Sequence, residues 1–222
     1  LTPTTPLNPI LRTAFILGNG ALAEWIDIRQ ILTKYNALLV CADGGAEKAR
    51  QLELTPALII GDLDSIILQT LAHFRSLGVK IAHDPAQQNN DLEKCLRYLL
   101  RRGWQQFILA GFTGQRDDQT IATLQITRKY LPRTQFLIYT ELAEIFPLKK
   151  GHWLIETEKG QAVSLFGFPQ AIHLTTEGLK FPMNDERLGS GSHGLSNIAT
   201  GRRCEIKFTA GNLLIVKNHS QL

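Results

Sequence analysis

From Thr13 to about Tyr139, short apolar runs alternate with stretches whose apolar positions recur every three or four residues. The runs predict strands at Ala14–Leu17, Ala37–Cys41, Ala57–Ile60, Val79–Ala82, Phe107–Ala110 and Gln135–Tyr139. The spaced stretches predict helices near Leu22–Thr33, Ala46–Leu52, Ile66–Leu77, Asp91–Arg101 and Gln119–Tyr130. The clearest is Asp91–Arg101, which sets Leu92, Cys95, Leu96, Leu99 and Leu100 on one face. Strands alternating with helices predict a mostly parallel sheet covered on both sides, an α/β/α sandwich.

The period changes after Thr140. His152–Glu156, Ala162–Phe166, Ala171–Thr175, Cys204–Phe208 and Asn212–Lys217 are short strand candidates separated by Gly, Pro and polar turns, with no good helix among them. This predicts a small all-β sandwich domain beginning near Glu141–Lys150, with a flexible excursion at Asn184–Gly194. The expected organisation is a loose tail over residues 1–10, an α/β domain over 11–140 and a β-sandwich over 141–222.

In an open α/β sheet, ligands bind outside the carboxyl ends of the strands, and these ends are chemically unusual here. The first strand runs into Gly18-Asn19-Gly20 and the second into Asp43-Gly44-Gly45. The third run, Leu58-Ile59-Ile60, stops at Gly61 and releases Asp62-Leu63-Asp64-Ser65. The fourth leads through His83-Asp84 to Asn90-Asp91 at a helix start, and the fifth into Gly111, Gly114, Arg116, Asp117 and Asp118. Glycines let phosphates approach backbone N–H groups, and helix N-termini favour anions. Carboxylates in the same crevice repel a phosphate unless a cation intervenes, and a hard ion such as Mg²⁺ takes such oxygen ligands. Each piece also has an ordinary explanation. Asp62 or Asp64 can cap the next helix, Asn90 with Glu93 is a capping pair, and Asp91 with Lys94 is a one-turn surface ion pair. Five successive strands closing on glycine or acid favour a nucleotide–metal crevice.

A second reading competes. Gly18-Asn19-Gly20-Ala21-Leu22-Ala23 fits the dinucleotide fingerprint in its G-x-G-x-x-A form, with Asp43 at the end of the second strand. That makes an NAD-dependent oxidoreductase the alternative, although it leaves Asp62, Asp64, Asp91 and Asp118 without a task. A third is a module that senses ATP or a cofactor without turnover. Neither a Walker phosphate loop nor a G-x-S-x-G nucleophile elbow occurs.

Composition trims the field further. The 222 residues carry a net charge of +4, with 44% hydrophobic and 20% charged positions, ordinary for a globular protein. The basic residues are scattered, Arg101-Arg102 and Arg202-Arg203 being only pairs, so no nucleic-acid partner is expected. No apolar run reaches the length of a membrane span. The Pro- and Thr-rich Leu1–Pro9 segment has no signal-peptide core and no initiator Met. Cys41, Cys95 and Cys204 are odd in number and far apart, giving neither a metal spacing nor a disulfide frame, so a reducing, cytoplasmic setting is expected.

Taken in order, Cys41-Ala42-Asp43-Gly44-Gly45-Ala46, Gly61-Asp62-Leu63-Asp64-Ser65, Asn90-Asp91-Leu92-Glu93-Lys94-Cys95-Leu96 and Gly114-Gln115-Arg116-Asp117-Asp118-Gln119 resemble the thiamine pyrophosphokinases. Gly178-Leu179-Lys180-Phe181-Pro182 and Leu195-Ser196-Asn197 resemble that family's thiamine-binding β domain. The resemblance covers Ala14 to Val216. It implies transfer of the β,γ-pyrophosphoryl unit of ATP to the hydroxyl of thiamine, with Mg²⁺ as cofactor, AMP as second product and a homodimer with active sites between subunits. A related pterin pyrophosphokinase is the nearest alternative.

By position, the resemblance makes Asp62, Asp64 and Asp91 the ligands of Mg²⁺, and counts Asp43 and Asp118 with them as catalytic carboxylates. It gives the nucleotide site Gly18, Asn19, Asp43, Gly44, Gly45, Asn90, Asp91, Lys94, Arg116, Asp118 and Gln119. Thiamine would meet Phe181, Ser196 and Asn197. The chain departs from the family pattern at Asn90, often Thr, at Gln115, often Gly, and at Gln119, often His. Phe181 stands where the stacking residue is often Trp. Asp91 and Asp64 are both candidates for the base that takes the hydroxyl proton.

Overall fold

The computed structural model describes residues 3–219. The chain divides into two compact units, one made of Pro9–Ile126 with Tyr139–Glu141, the other of Thr127–Ile138, the chain from Leu142 onward and the segment up to Asn8.

The first unit is an α/β arrangement. β1 (Thr13–Leu17), β2 (Leu38–Ala42), β3 (Leu58–Gly61), β4 (Lys80–His83) and β5 (Gln106–Ala110) alternate with α1 (Ile28–Lys34), α2 (Gly45–Gln51), α3 (Leu68–Ser76) and α4 (Asp91–Leu100). The strand order is β5-β1-β2-β3-β4 and every pairing is parallel, so all the loops that follow strands open at one edge. β1 and β5 are buried along their whole length, as expected of parallel strands covered on both faces. α4 forms where the pattern predicts it. Asn90 caps it by accepting from the Glu93 N–H at 3.0 Å, and Leu92, Cys95, Leu96 and Leu99 are buried.

The α1 boundary differs from expectation. The helix expected from Leu22 begins only at Ile28, capped by Asp27, whose carboxylate accepts from the Gln30 N–H at 2.9 Å. The preceding stretch is held by other bonds, including the Trp25 indole N–H to the Glu141 carbonyl at 2.9 Å. The helix expected from Gln119 begins two residues earlier, as α5 (Asp117–Tyr130).

In the second unit, β6 (Gln135–Tyr139), β7 (Ala143–Glu156), β8 (Ala162–Glu177), β10 (Gly194–Ile198) and β11 (Arg203–Asn218) lie in the order β10-β8-β11-β7-β6. β9 (Glu186–Leu188) adds to β8. β7, β8, β10 and β11 pair antiparallel. Strands that read as separate short pieces are continuous. Cys204–Phe208 and Asn212–Lys217 belong to one β11, whose register against β7 shifts between Phe208 and Asn212. Gly211, at φ +81, sits in that irregularity, and a Cβ there would come within 2.0 Å of the Gln170 carbonyl oxygen. The Asn184–Gly194 excursion contains β9. The tail is anchored: Thr4 forms a bridge with Trp153, and Leu7 is buried.

Candidate active site

Four loops that follow strands of the α/β unit close around a cavity of about 350 Å³. Gly18 and Asn19 line it after β1, Asp43 and Gly44 after β2, Ser65 after β3, and Gly111 to Thr113 after β5. Asn90 and Asp91 line it from the start of α4, with Arg116 just before α5 and Gln119 in its first turn. Gly45 instead packs under the floor, where a Cβ would stand 2.1 Å from the Leu17 carbonyl oxygen.

The β1 glycines are needed for packing. A Cβ at Gly18 or Gly20 would lie 2.4 or 2.6 Å from the Gly111 carbonyl oxygen, so the two loops can approach only without side chains. A dinucleotide fingerprint requires its glycines to open a helix directly. Here α1 begins eight residues beyond Gly20, so the fingerprint lacks its structural context.

Asp43 is the organiser of the acidic loop. It is buried (2% exposed) with φ +42, and its two carboxylate oxygens accept the Leu63 N–H at 2.8 Å and the Ser65 N–H at 3.2 Å. Gly61 must lack a side chain because a Cβ would sit 2.6 Å from the Asp43 Cβ. This folds Asp62-Leu63-Asp64-Ser65 back over Asp43, and one carboxylate oxygen from each of Asp43, Asp62 and Asp64 comes within 4.8 Å of the others. The capping explanation for Asp62 and Asp64 does not hold. The N-cap of α3 is Ile67, with no side-chain cap, and its N–H goes to Glu47 Oε1 at 2.8 Å.

The ordinary explanation of Lys94, a surface pair with Asp91, does not hold: its side chain is 2% exposed and lies 3.0 Å from both Asp91 Oδ1 and Asp62 Oδ2, and it stands behind the residues that line the cavity rather than among them. The reason is tertiary: α4 packs against β3, and the strand-end loop delivers Asp62 as a second acceptor. The hydrogen bond from Lys94 holds the Asp62 carboxyl below its ordinary value, against an opposing effect of burial. Asp91 moves the other way, because burial favours its neutral form more than Lys94 favours the charged one; Asp43 and Asp62 add to the rise. Burial alone would lower Lys94, but the bonds to Asp62 and Asp91 outweigh it and raise it. Asp91 thus joins the cluster through Lys94, while Asp43 stands in the compact carboxylate trio.

Arg116, just before α5, and Asp118, in its exposed first turn, pair with each other, Nε to Oδ1 at 3.0 Å. Of the two, Arg116 lines the cavity. Phe112 and Thr113, which also line it, went unnoticed in the sequence; their signal was only their place between two strand-end glycines. Thr123 Oγ donates to the Phe112 carbonyl at 3.1 Å and fixes that loop.

In the β unit, Phe181 is 60% exposed and Leu195 52%, beside a small cavity of about 120 Å³ shared with Met183, Glu186 and His193. Ser196 is exposed at φ +57, its N–H given to Ser164 Oγ at 3.0 Å. Asn197 lines that cavity but is itself buried, with its amide turned to the backbone of Phe181.

An open parallel sheet with an acidic, glycine-lined crevice at its strand ends defines an α/β protein of the strand-end ligand-binding class, here followed by an antiparallel β unit. The chain belongs to the thiamin pyrophosphokinase family: residues 29–139 match the model of its catalytic domain and residues 152–213 that of its vitamin B1 binding domain. Thiamine pyrophosphokinase 1 of Arabidopsis thaliana is 26% identical over 221 residues, taking in 86% of this chain and 80% of the plant protein. Among solved structures, thiamine pyrophosphokinase from Bacillus subtilis superposes with a TM-score of 0.81 at 22% identity, over 94% of this chain and all of that one. The enzyme from Candida albicans does so at 0.75 and 20% identity, over 95% of this chain and 90% of the other.

Proposed function

We propose that this protein is an ATP-dependent thiamine diphosphokinase, joining the pyrophosphoryl group of ATP to the hydroxyl of thiamine. The thiamine oxygen attacks the β-phosphorus, the bond from that phosphorus to the α,β-bridging oxygen breaks, and AMP leaves with the bridging oxygen. The hydroxyl proton passes to a carboxylate. The observation that carries this reading is the trio Asp43, Asp62 and Asp64 at a glycine-lined strand edge, in a chain of this family.

Three hard oxygen donors within 4.8 Å suit Mg²⁺. When bound, the ion would neutralise phosphate charge that the carboxylates would otherwise repel. Asp62 and Asp64 are the ligands, and Asp43 shapes their loop and adds a donor. Lys94 holds Asp62 and Asp91 in place. Asp91 lines the cavity outside the trio, which leaves it to take the hydroxyl proton. Gly18, Asn19, Gly44, Asn90, Arg116 and Gln119 receive the nucleotide, positioning being most of what such a transfer needs. Phe181 gives an aromatic face to the cationic thiazolium of thiamine, and Ser196 a hydroxyl. The active form is a homodimer with sites between subunits, and the enzyme works in the cytoplasm, in keeping with three buried free thiols.

Incubation with ATP, Mg²⁺ and thiamine, scoring AMP against ADP, tests the reading. AMP together with thiamine diphosphate is expected. ADP would mean an ordinary kinase, and binding of both substrates without turnover would mean a sensor.

A further inference from the structure

We infer that Asn197 is a positioning residue for the acceptor, acting through the backbone of Phe181 rather than by touching thiamine. The inference rests on the reading of Phe181 as the face that meets the acceptor.

The segment Gly178–Phe181 lies along the end of β10 and the residues after it. Leu179 is bridged to Ala199, the Lys180 N–H goes to the Ile198 carbonyl at 2.8 Å, and the Thr200 N–H to the Gly178 carbonyl at 2.9 Å. At the next step the backbone pairing is replaced by a side chain. Asn197 Oδ1 accepts the Phe181 N–H at 3.0 Å, and Asn197 Nδ2 donates to the Phe181 carbonyl at 2.7 Å. The carboxamide thus offers Phe181 the donor and acceptor that a neighbouring peptide group would. Its oxygen also accepts the Ile198 N–H at 2.9 Å, which uses both of its lone pairs.

Two facts together give this clamp a purpose. Asn197 is 4% exposed, so its polar atoms are spent inside the unit, whereas Phe181 is 60% exposed and gains little by burial there. A large exposed aromatic ring whose backbone is fixed on both polar groups is preorganised to receive a ligand.

The test is a double-mutant cycle on the full-length enzyme, with KM for thiamine, KM for ATP and kcat measured for Phe181→Ala, Asn197→Ala and the pair. Asn197→Ala is expected to raise the thiamine KM about tenfold, the order of one or two lost hydrogen bonds, with the ATP KM and kcat at saturating thiamine kept within about twofold. Combined with Phe181→Ala it should add nothing further, since its effect passes through the ring. Additive effects would mean that Asn197 meets thiamine itself and would overturn the inference. So would an unchanged thiamine KM, or a loss of Mg·ATP binding alongside, which marks a merely structural residue. Should Asn197→Ala fail to fold, Asn197→Asp keeps an acceptor for the Phe181 N–H but sets an oxygen against its carbonyl. It is expected to show the same selective rise, and its absence overturns the inference equally. If Phe181→Ala alone leaves the thiamine KM unchanged, the placement of the acceptor fails instead, and that result is read independently of Asn197.

Discussion

The acidic loop after β3 and the segments that carry Phe181 and Ser196 are both candidate ligand surfaces, but they are built differently. The first is made of neighbours: Gly61 ends one strand, Asp62 and Asp64 follow it, and Asp43 reaches them from the end of the adjacent strand. The second depends on side chains that replace backbone partners across the chain, Asn197 for Phe181 and Ser164 for Ser196, 16 and 32 residues apart. A charged site needs its donors close and its repulsion managed, and a parallel sheet supplies closeness through adjacent strand ends. An aromatic and hydroxyl surface needs orientation, which buried polar clamps supply.

The largest effect should fall on the charged side. Asp62→Asn and Asp64→Asn are each expected to lower turnover by about 10²–10³-fold, the scale for losing one preorganised electrostatic contact. Neither residue caps α3, so circular dichroism should stay near wild type; the melting temperature should hold for Asp64→Asn and fall for Asp62→Asn, which gives up its charge pair with Lys94. A stability loss of about 1 kcal/mol with normal turnover per folded molecule would return both residues to a capping role.

Lys94→Met removes the cation between Asp62 and Asp91 while keeping the bulk of the side chain. With Asp62 and Asp91, both partly exposed, left without their cation, a loss of about 1–2 kcal/mol is expected by urea unfolding of the chelated, nucleotide-free protein. The pH dependence has a definite sign. Lys94 is raised in the folded state, so its contribution is full below its unfolded value, about 10.4, and fades as pH climbs through the higher folded one. Asp62 is lowered, so its contribution is present above about 3.9 and fades as pH falls through the folded value. Asp91, raised by burial, opposes stability at neutral pH and relents on acidification. Unfolding scans of wild type should therefore bend down at alkaline pH, and Lys94→Met should remove its share of that bend. An unchanged alkaline limb would deny Lys94 its buried pairing.

These contrasts explain what the sequence disclosed. The strand-end chemistry was legible because the period of a parallel sheet, plus one rule about its carboxyl edge, puts Asp43, Asp62, Asp91 and Arg116 on the same side. The Asn90 cap was legible because capping is local. The bridging place of Lys94 was not legible, because i,i+3 spacing to Asp91 tells nothing of what packs above it; Asp62, the second acceptor, lies 32 residues away. Helix α1 was started too early because Leu22 to Ile26 are apolar at helical spacing, whereas Trp25 is tied elsewhere by its indole. In the β unit, Gly167, Pro169 and Gly211 read as turns and divided β8 and β11, although the chain passes through them as irregular strand. Phe181 and Ser196 could be placed only by resemblance, since their supports come from residues with no local signature.

The smallest expected effect tests the acceptor side where it is most weakly held. Ser164 is 7% exposed and its Oγ accepts the Ser196 N–H, at the irregularity of β10 where Ser196 adopts φ +57. That backbone region is unfavourable for a residue with a Cβ, so an outside hydrogen bond helps to keep it there. Ser164→Ala deletes the acceptor, but Ser196 is exposed and water can take over its N–H. The stability loss should therefore be about 0.5–1 kcal/mol. The thiamine KM should rise about two- to fivefold while the ATP KM and kcat stay put, because the change reaches only the part of β10 that carries Ser196. Combined with Asn197→Ala, the rise should be close to the product of the two, since one clamp serves Ser196 and the other Phe181. A Ser164→Ala loss in kcat as large as that of Asp62→Asn would erase the distinction between the two surfaces, and kinetics on the purified variants would show it at once.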